Sequence, residues 1–273
     1  MDDTRAVYEA LIAAHDNGET AALATIIRVQ GSVPRHTGSK LLVRADGSFV
    51  GTIGGGKMES LAITEALTVI ASGESRTVSY ALNDIQAGDP GVCGGTVEVF
   101  IEPLNPAPTL LVIGGGHVGK ALAELGKWSG WRVILSDDRP EFCNPEYAPG
   151  LDGYTISKPA DVVRHVSITS STYIAAVTRG LPVDVDLIPV LLTTPAAYIG
   201  VIGSRRRWAL TMKELREQRG LTDAQLARVH APIGLELNAE TPKEIAVSIL
   251  AELIMIRRGG TGESMKMESK DSV

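Results

Sequence analysis

The spacing of apolar and polar positions divides the chain into two stretches with different rhythms. In the first, Val7, Leu11, Ile12 and Ala14 share one helical face, and Gly18 ends that helix. Leu23 to Val29 reads as a buried strand. Lys40 to Arg44 and Phe49 to Ile53 read as a hairpin around the turn dipeptide Asp46-Gly47. A helical pattern follows from Lys57 to about Ala71, and then strands from Arg76 to Leu82 and from Thr96 to Leu104. The alternation Thr96-Val97-Glu98-Val99-Phe100-Ile101-Glu102 suits a sheet with one wet face.

Asn105-Pro106-Ala107-Pro108 is a proline-rich junction, and beyond it the rhythm changes. The apolar run Leu110 to Ile113 leads into glycines and then a helix from His117 to Trp128. Trp131 to Leu135, Thr172 to Val177 and Ala197 to Ile202 read as strands, with helices over Asp184 to Leu192 and from Arg205. Thr222-Asp223-Ala224-Gln225 and Thr241-Pro242-Lys243-Glu244 match the capping box, and the second opens a helix that turns Ala246, Ile249, Leu250 and Leu253 inward. The pattern predicts an α/β chain in two domains. An N-terminal mixed α+β domain spans residues 1–105, and a Rossmann-type, doubly wound parallel sheet spans 109–258. A polar, glycine-rich tail over 259–273 is expected to be disordered.

Bulk composition narrows the function classes. A net charge of −6 argues against non-specific binding to nucleic acid or an anionic membrane. Cys93 and Cys143 are too few for a disulfide framework. With an acidic start and no apolar run of membrane-spanning length, the cytoplasm is the expected compartment.

Three stretches carry candidate chemistry. Gly114-x-Gly116-x-x-Gly119 stands between a strand and a helix, as a dinucleotide fingerprint requires, and Asp137 ends the next strand where a ribose-binding acid belongs. His117 opens the helix, whose N-terminal N–H groups and dipole suit a phosphate. Gly54-Gly55-Gly56 followed by Lys57 repeats strand, glycines and helix, reading as a second anion site or as a mobile turn with an exposed lysine. Gly203-Ser204-Arg205-Arg206-Arg207 puts three arginines in the first turn of a helix, against its dipole. A phosphate or an acidic partner would relieve that, unless the side chains splay into solvent. Cys93, flanked by glycines, reads either as a reachable thiol or as a small buried residue, and Cys143 as packing. His165 and His230 stand alone. An acid–base pair near the fingerprint is not evident, which weighs against the alternative of an NAD(P)-dependent oxidoreductase.

Several of these motifs together resemble one family. Gly31-Ser32-x-Pro34-Arg35-x-x-Gly38, Gly51-Thr52-Ile53-Gly54-Gly55-Gly56 and Cys93-Gly94-Gly95 with Glu102-Pro103-Leu104 resemble the XdhC/CoxI family of xanthine dehydrogenase accessory proteins. So do Asp138-Arg139-Pro140-Glu141, Tyr198-Ile199-Gly200-x-Ile202-Gly203-Ser204-Arg205 and Thr241-Pro242-x-Glu244-Ile245-Ala246. The resemblance implies an accessory chaperone, without turnover of its own, that binds molybdenum cofactor (molybdopterin or its dinucleotide) and assists its insertion into a molybdenum hydroxylase. NAD and FAD remain candidate ligands of the Rossmann domain. Taken with the residue patterns above, Gly54, Gly55, Gly56, Lys57, Gly114, Gly116, His117, Gly119, Asp137, Gly203, Ser204 and Arg205 are the expected cofactor contacts, and Cys93 is the expected ligand facing the metal. A hydroxylase resembling xanthine dehydrogenase and a cysteine desulfurase are the implied partners, and a homodimer is the expected assembly. Two positions depart from the family pattern: Lys57 replaces a frequent cysteine, and Leu181-Pro182 replaces a frequent histidine.

Overall fold

The computed structural model describes residues 3–82, 94–104 and 107–266. The chain forms two compact units, Met1–Ala107 and Pro108–Val273.

The first unit begins with α1 (Asp3–Asp16), followed by β1 (Ala21–Gln30), β2 (Lys40–Arg44) and β3 (Phe49–Gly51). Next come α2 (Gly56–Ser72), β4 (Arg76–Ala81) and β5 (Thr96–Leu104). The five strands make an antiparallel sheet in the order β3-β2-β1-β5-β4. Strand alternation sorts the core. Ala22, Ala24 and Ile26 of β1 pack with Met58, Ala62, Ala66 and Val69 of α2, while Ala21 and Leu23 pack with Val7 of α1. Gly73, in the left-handed region at φ 71°, closes α2.

In the second unit β6 (Thr109–Ile113), α3 (His117–Trp128) and β7 (Arg132–Asp137) are followed by β8 (Gly153–Ile156) and β9 (Thr172–Ala176). Then come α4 (Leu181–Leu192), β10 (Tyr198–Val201), α5 (Arg205–Arg219), α6 (Asp223–Leu226), β11 (Val229–His230) and α7 (Pro242–Arg258). All six strands are parallel, in the order β11-β10-β9-β6-β7-β8. Its four central strands, β10, β9, β6 and β7, are buried on both faces, which is why they read as continuous apolar runs. Leu110 and Val112 face α3 and α7, and Leu111 and Ile113 face α4 and α5. Strand β8 sits in a stretch whose prolines break the periodicity, and β11 is two residues long; neither carries enough pattern to be read from sequence. The architecture is the expected one: a mixed N-terminal part and a doubly wound parallel sheet. Strand order reverses at β6 and β9, so the crevice past their carboxyl ends is the ligand position this topology favours. Among the described residues no helix is long and apolar enough to cross a membrane.

Two glycine turns and their carboxylates

Each unit carries one of the glycine turns. In the first, the chain leaves β3 and turns through Thr52 to Gly55 into α2. The turn is held by Glu59, one helical turn further on. Its Oε2 accepts from Thr52 Oγ1 at 2.6 Å, Ile53 N at 3.1 Å and Gly55 N at 3.3 Å, and Gly54 N donates to Thr52 Oγ1 at 3.1 Å. Amides that sequence reasoning offered to a ligand are thus partly occupied by the helix's own acid. The first-turn amides of α2 have no capping side chain, and a Cβ placed on Gly55 would meet nothing within 4 Å. Lys57 is exposed beside that opening.

The other motifs of this unit gather on the same turn. A Cβ on Gly54 would lie 2.9 Å from Pro34 Cγ and 3.0 Å from Met58 Cε. Ser32 forms a parallel bridge to Gly94, and a Cβ on Gly95 would strike the carbonyl oxygens of Ser32 and Gln30. Segments 31–34, 52–57 and 94–95 therefore pack as one cluster, with Arg35 and His36 exposed. Cys93 lies outside the described residues.

In the second unit the fingerprint turns from β6 into α3. Gly114 takes φ 115° with its Cα against the Val177 carbonyl, 2.5 Å from where a Cβ would be, and a Cβ on Gly119 would collide with the Gly114 carbonyl oxygen. These two glycines serve the tight turn and the close helix–strand contact. Gly116 is the open one: a Cβ there meets nothing within 4 Å, and no side chain caps α3. Gly180, which begins α4 across the crevice, is likewise uncapped, whereas Ser204, Thr222 and Thr241 cap α5, α6 and α7.

Asp137 is not arranged to hold a ribose. It is 4% exposed, and both oxygens are taken. Oδ2 accepts from Gly115 N at 2.6 Å and Arg139 Nη2 at 3.0 Å, and Oδ1 from Arg139 N at 3.0 Å and Nε at 2.9 Å. Four donors fill the acceptor capacity of a carboxylate. Burial alone would raise its pKa, but the Arg139 fork and the two amides outweigh it and hold the group at about 2. The acid is a strut that fixes the glycine loop, and Arg139 in turn lies 4.0 Å over the Phe142 ring. Its neighbour Asp138 pairs with Arg179 Nη2 at 2.7 and 2.8 Å. The crevice lined by Gly114, Gly116, Asp137, Asp138, Arg139 and Arg179 measures only ≈ 50 Å³. His117 is exposed and outside that lining.

The arginine run resolves in a similar way. Arg207 Nη2 lies 2.6 Å from Oδ2 of buried Asp184 and 2.9 Å from Thr178 Oγ1, and Thr178 also donates to Asp184. Arg207 therefore has the anion that its place near the helix start demands, supplied from α4. Burial pushes Asp184 up despite these partners. Arg205 reaches Glu236 at 3.7 Å, with both side chains largely exposed. Ser204 Oγ accepts from Arg207 N at 3.1 Å. Gly203 and Arg205 line a separate cleft of ≈ 1040 Å³, bounded also by residues 232–240 and the start of α7. Cys143 is buried and donates to the Leu135 carbonyl at 3.2 Å, as a packing residue would. Among the described residues no group of three or more metal-ligating side chains gathers.

Comparison with known proteins decides what these turns belong to. Residues 110–253 match the family described as XdhC Rossmann domain, and residues 14–81 match the XdhC and CoxI family. The chain belongs to the XdhC and CoxI family. Within it, the chain is 35% identical over 253 residues to the uncharacterized protein YqeB of Escherichia coli (strain K12), covering 92% of this chain and 46% of that one. It is 28% identical over 163 residues to a probable xanthine dehydrogenase subunit of Bacillus subtilis (strain 168), covering 60% and 47%. It is 25% identical over 285 residues to the molybdenum cofactor insertion chaperone PaoD of Escherichia coli (strain K12), covering 94% and 89%. The chain thus spans less than half the length of the first two relatives and most of the third. A crystal structure from Bacillus halodurans, described as a xanthine dehydrogenase, shares the fold. Its TM-score is 0.50 at 23% identity, over 99% of this chain and 98% of that one.

Proposed function

We propose that this XdhC and CoxI family member is an accessory protein that carries molybdenum cofactor and assists its insertion into a molybdenum hydroxylase of the xanthine dehydrogenase kind. The likeness to PaoD over nearly the whole chain supports the role, and the likeness to the Bacillus subtilis protein supports the choice of enzyme. The structural observation that carries it is the contrast among helix starts. The three helices capped by serine or threonine are closed by their own side chains, whereas α2 and α3 start at glycines with open space beside Gly55 and Gly116. Such starts suit the anionic groups of a pterin phosphate or its dinucleotide.

In this reading the α2 start, with Gly54, Gly55, Gly56 and Lys57, is an anion contact of the first unit, and Gly114, Gly116 and Gly119 form the nucleotide turn of the second. Asp137 positions that turn, and His117 stands at its edge. Gly203, Ser204 and Arg205 offer a further anion contact. Cys93 supplies a soft thiolate for the metal or for a sulfur in transit. A cysteine desulfurase would be the source of that sulfur, a homodimer the working form, and the cytoplasm the compartment. Anaerobic titration of the full chain with molybdenum cofactor tests the role: saturable retention is expected, and Cys93→Ala should lose most of it. Retention by wild type no greater than by Cys93→Ala would remove the thiol from the mechanism, and no retention at all would remove the carrier role.

A further inference from the structure

One ion pair spans the crevice at the end of β6. Asp138 follows β7 directly and Arg179 lies just past β9, the strands on either side of β6. Their ion pair therefore reaches across the end of β6, over the glycine turn, and both residues line the crevice it narrows. The two arginines of that lining are held very differently. Arg139 is locked by a carboxylate that is 3% exposed, and its Nε and Nη2 are both engaged. Arg179 meets its partner through a single nitrogen, with side chains 54% and 35% exposed. Solvent-exposed pairs of this sort are weak and exchangeable. Arginine's planar fork, in contrast, suits a phosphate bidentately.

Resting on the reading of this crevice as a nucleotide site, we propose that Arg179 is its phosphate anchor and Asp138 its built-in competitor. The pair latches the crevice mouth until the diphosphate of a nucleotide takes Asp138's place on the guanidinium. The diphosphate then lies between Arg179 and the uncapped start of α3 at Gly116, where the backbone is open. With the pair formed the crevice holds ≈ 50 Å³, below the roughly 300 Å³ of small ligand pockets, which is the state a latched mouth would have.

Calorimetry of the full chain with ADP and with CDP tests this, using Asp138→Asn, Arg179→Gln and the double variant. Asp138→Asn should tighten binding about threefold to fivefold, because a weak competing pair is gone. Arg179→Gln should weaken it about tenfold or more. The decisive arm is the double variant: in the Arg179→Gln background, Asp138→Asn should change nothing, since there is no longer a guanidinium to release. An equal gain in both backgrounds would mean that Asp138 only repels anions through space, and a loss on Asp138→Asn would make it a ligand. Either result overturns the latch while leaving the nucleotide site standing. Binding of neither nucleotide to any variant, all with wild-type unfolding midpoints, would overturn the latch and the site together.

Discussion

The two glycine turns solve the same problem with acids from different distances. Both set loop amides against a carboxylate and leave the following helix start uncapped. In the first unit the acid is Glu59, four residues beyond Gly55 and only partly buried, so the turn is held by a local contact. In the second it is Asp137, 22 residues from Gly115, buried and clamped by Arg139. The local version forms as its helix forms, and loss of it should disturb little else. The remote version requires β6 and β7 to pair first, and it couples the fingerprint to the sheet.

Substitutions can break this comparison. The largest effect should come from Gly119→Ala, whose methyl would drive into the Gly114 carbonyl with nothing flexible to yield. We expect a loss of roughly 3 kcal/mol or more in denaturant unfolding. By contrast, Gly55→Ala has room for the methyl and meets only its backbone of φ 75° and ψ −175°, a conformation used almost solely by glycine, at a cost of about 1–3 kcal/mol. Equal midpoints for the two variants would erase the distinction between crowded and open glycines.

Removing the remote acid should come next. Asp137→Asn should cost about 2–3 kcal/mol, because it weakens a buried acceptor of two amides and one guanidinium. The carboxyl sits at about 2 in the fold against an ordinary 3.8, so its charged form is favoured by folding. That contribution, about 2 kcal/mol, is complete above pH 3.8 and disappears as pH falls through about 2. Acid titration of stability should therefore be shallower for Asp137→Asn than for wild type; identical curves would remove Asp137 from the acid response.

The local acid should matter less. Glu59→Gln should cost about 1 kcal/mol, since an amide oxygen can still accept from part of the same set. A loss as large as that of Asp137→Asn would break the local–remote contrast. Smallest of all, Lys57→Ala should leave the unfolding midpoint unchanged, because the side chain is exposed, while lowering retention of an anionic ligand. Unchanged retention would return Lys57 to an ordinary surface role.

These contrasts also show what the sequence could disclose. Its apolar rhythm foretold most strands and helices of both units, because a sheet buried on both faces and helices with one inward face leave different periods. The glycine turns were legible too, and so was the electrostatic demand of the arginine run. What supplied the missing charge was not. Asp184 answers Arg207 from 23 residues away, and Asp137 is taken by Gly115 from 22, distances set by strand order and not by spacing. Asp137 consequently read as a ribose ligand, although its lone pairs are spent within the protein. Glu59 is the exception: Gly55-x-x-x-Glu59 is a local pattern, and a search for acids one turn past a glycine cluster would have found it.

The clamp made by Arg207 has a consequence for speed. By gripping Thr178 and Asp184 together, it anchors the backbone on both sides of Arg179, so that swinging Arg179 aside requires no helix to shift. The easiest motion left is rotation about that side chain's own torsions, which occurs in picoseconds to nanoseconds. If a nucleotide binds at this carboxyl end of the sheet as proposed, it meets a door that opens far faster than diffusion delivers callers.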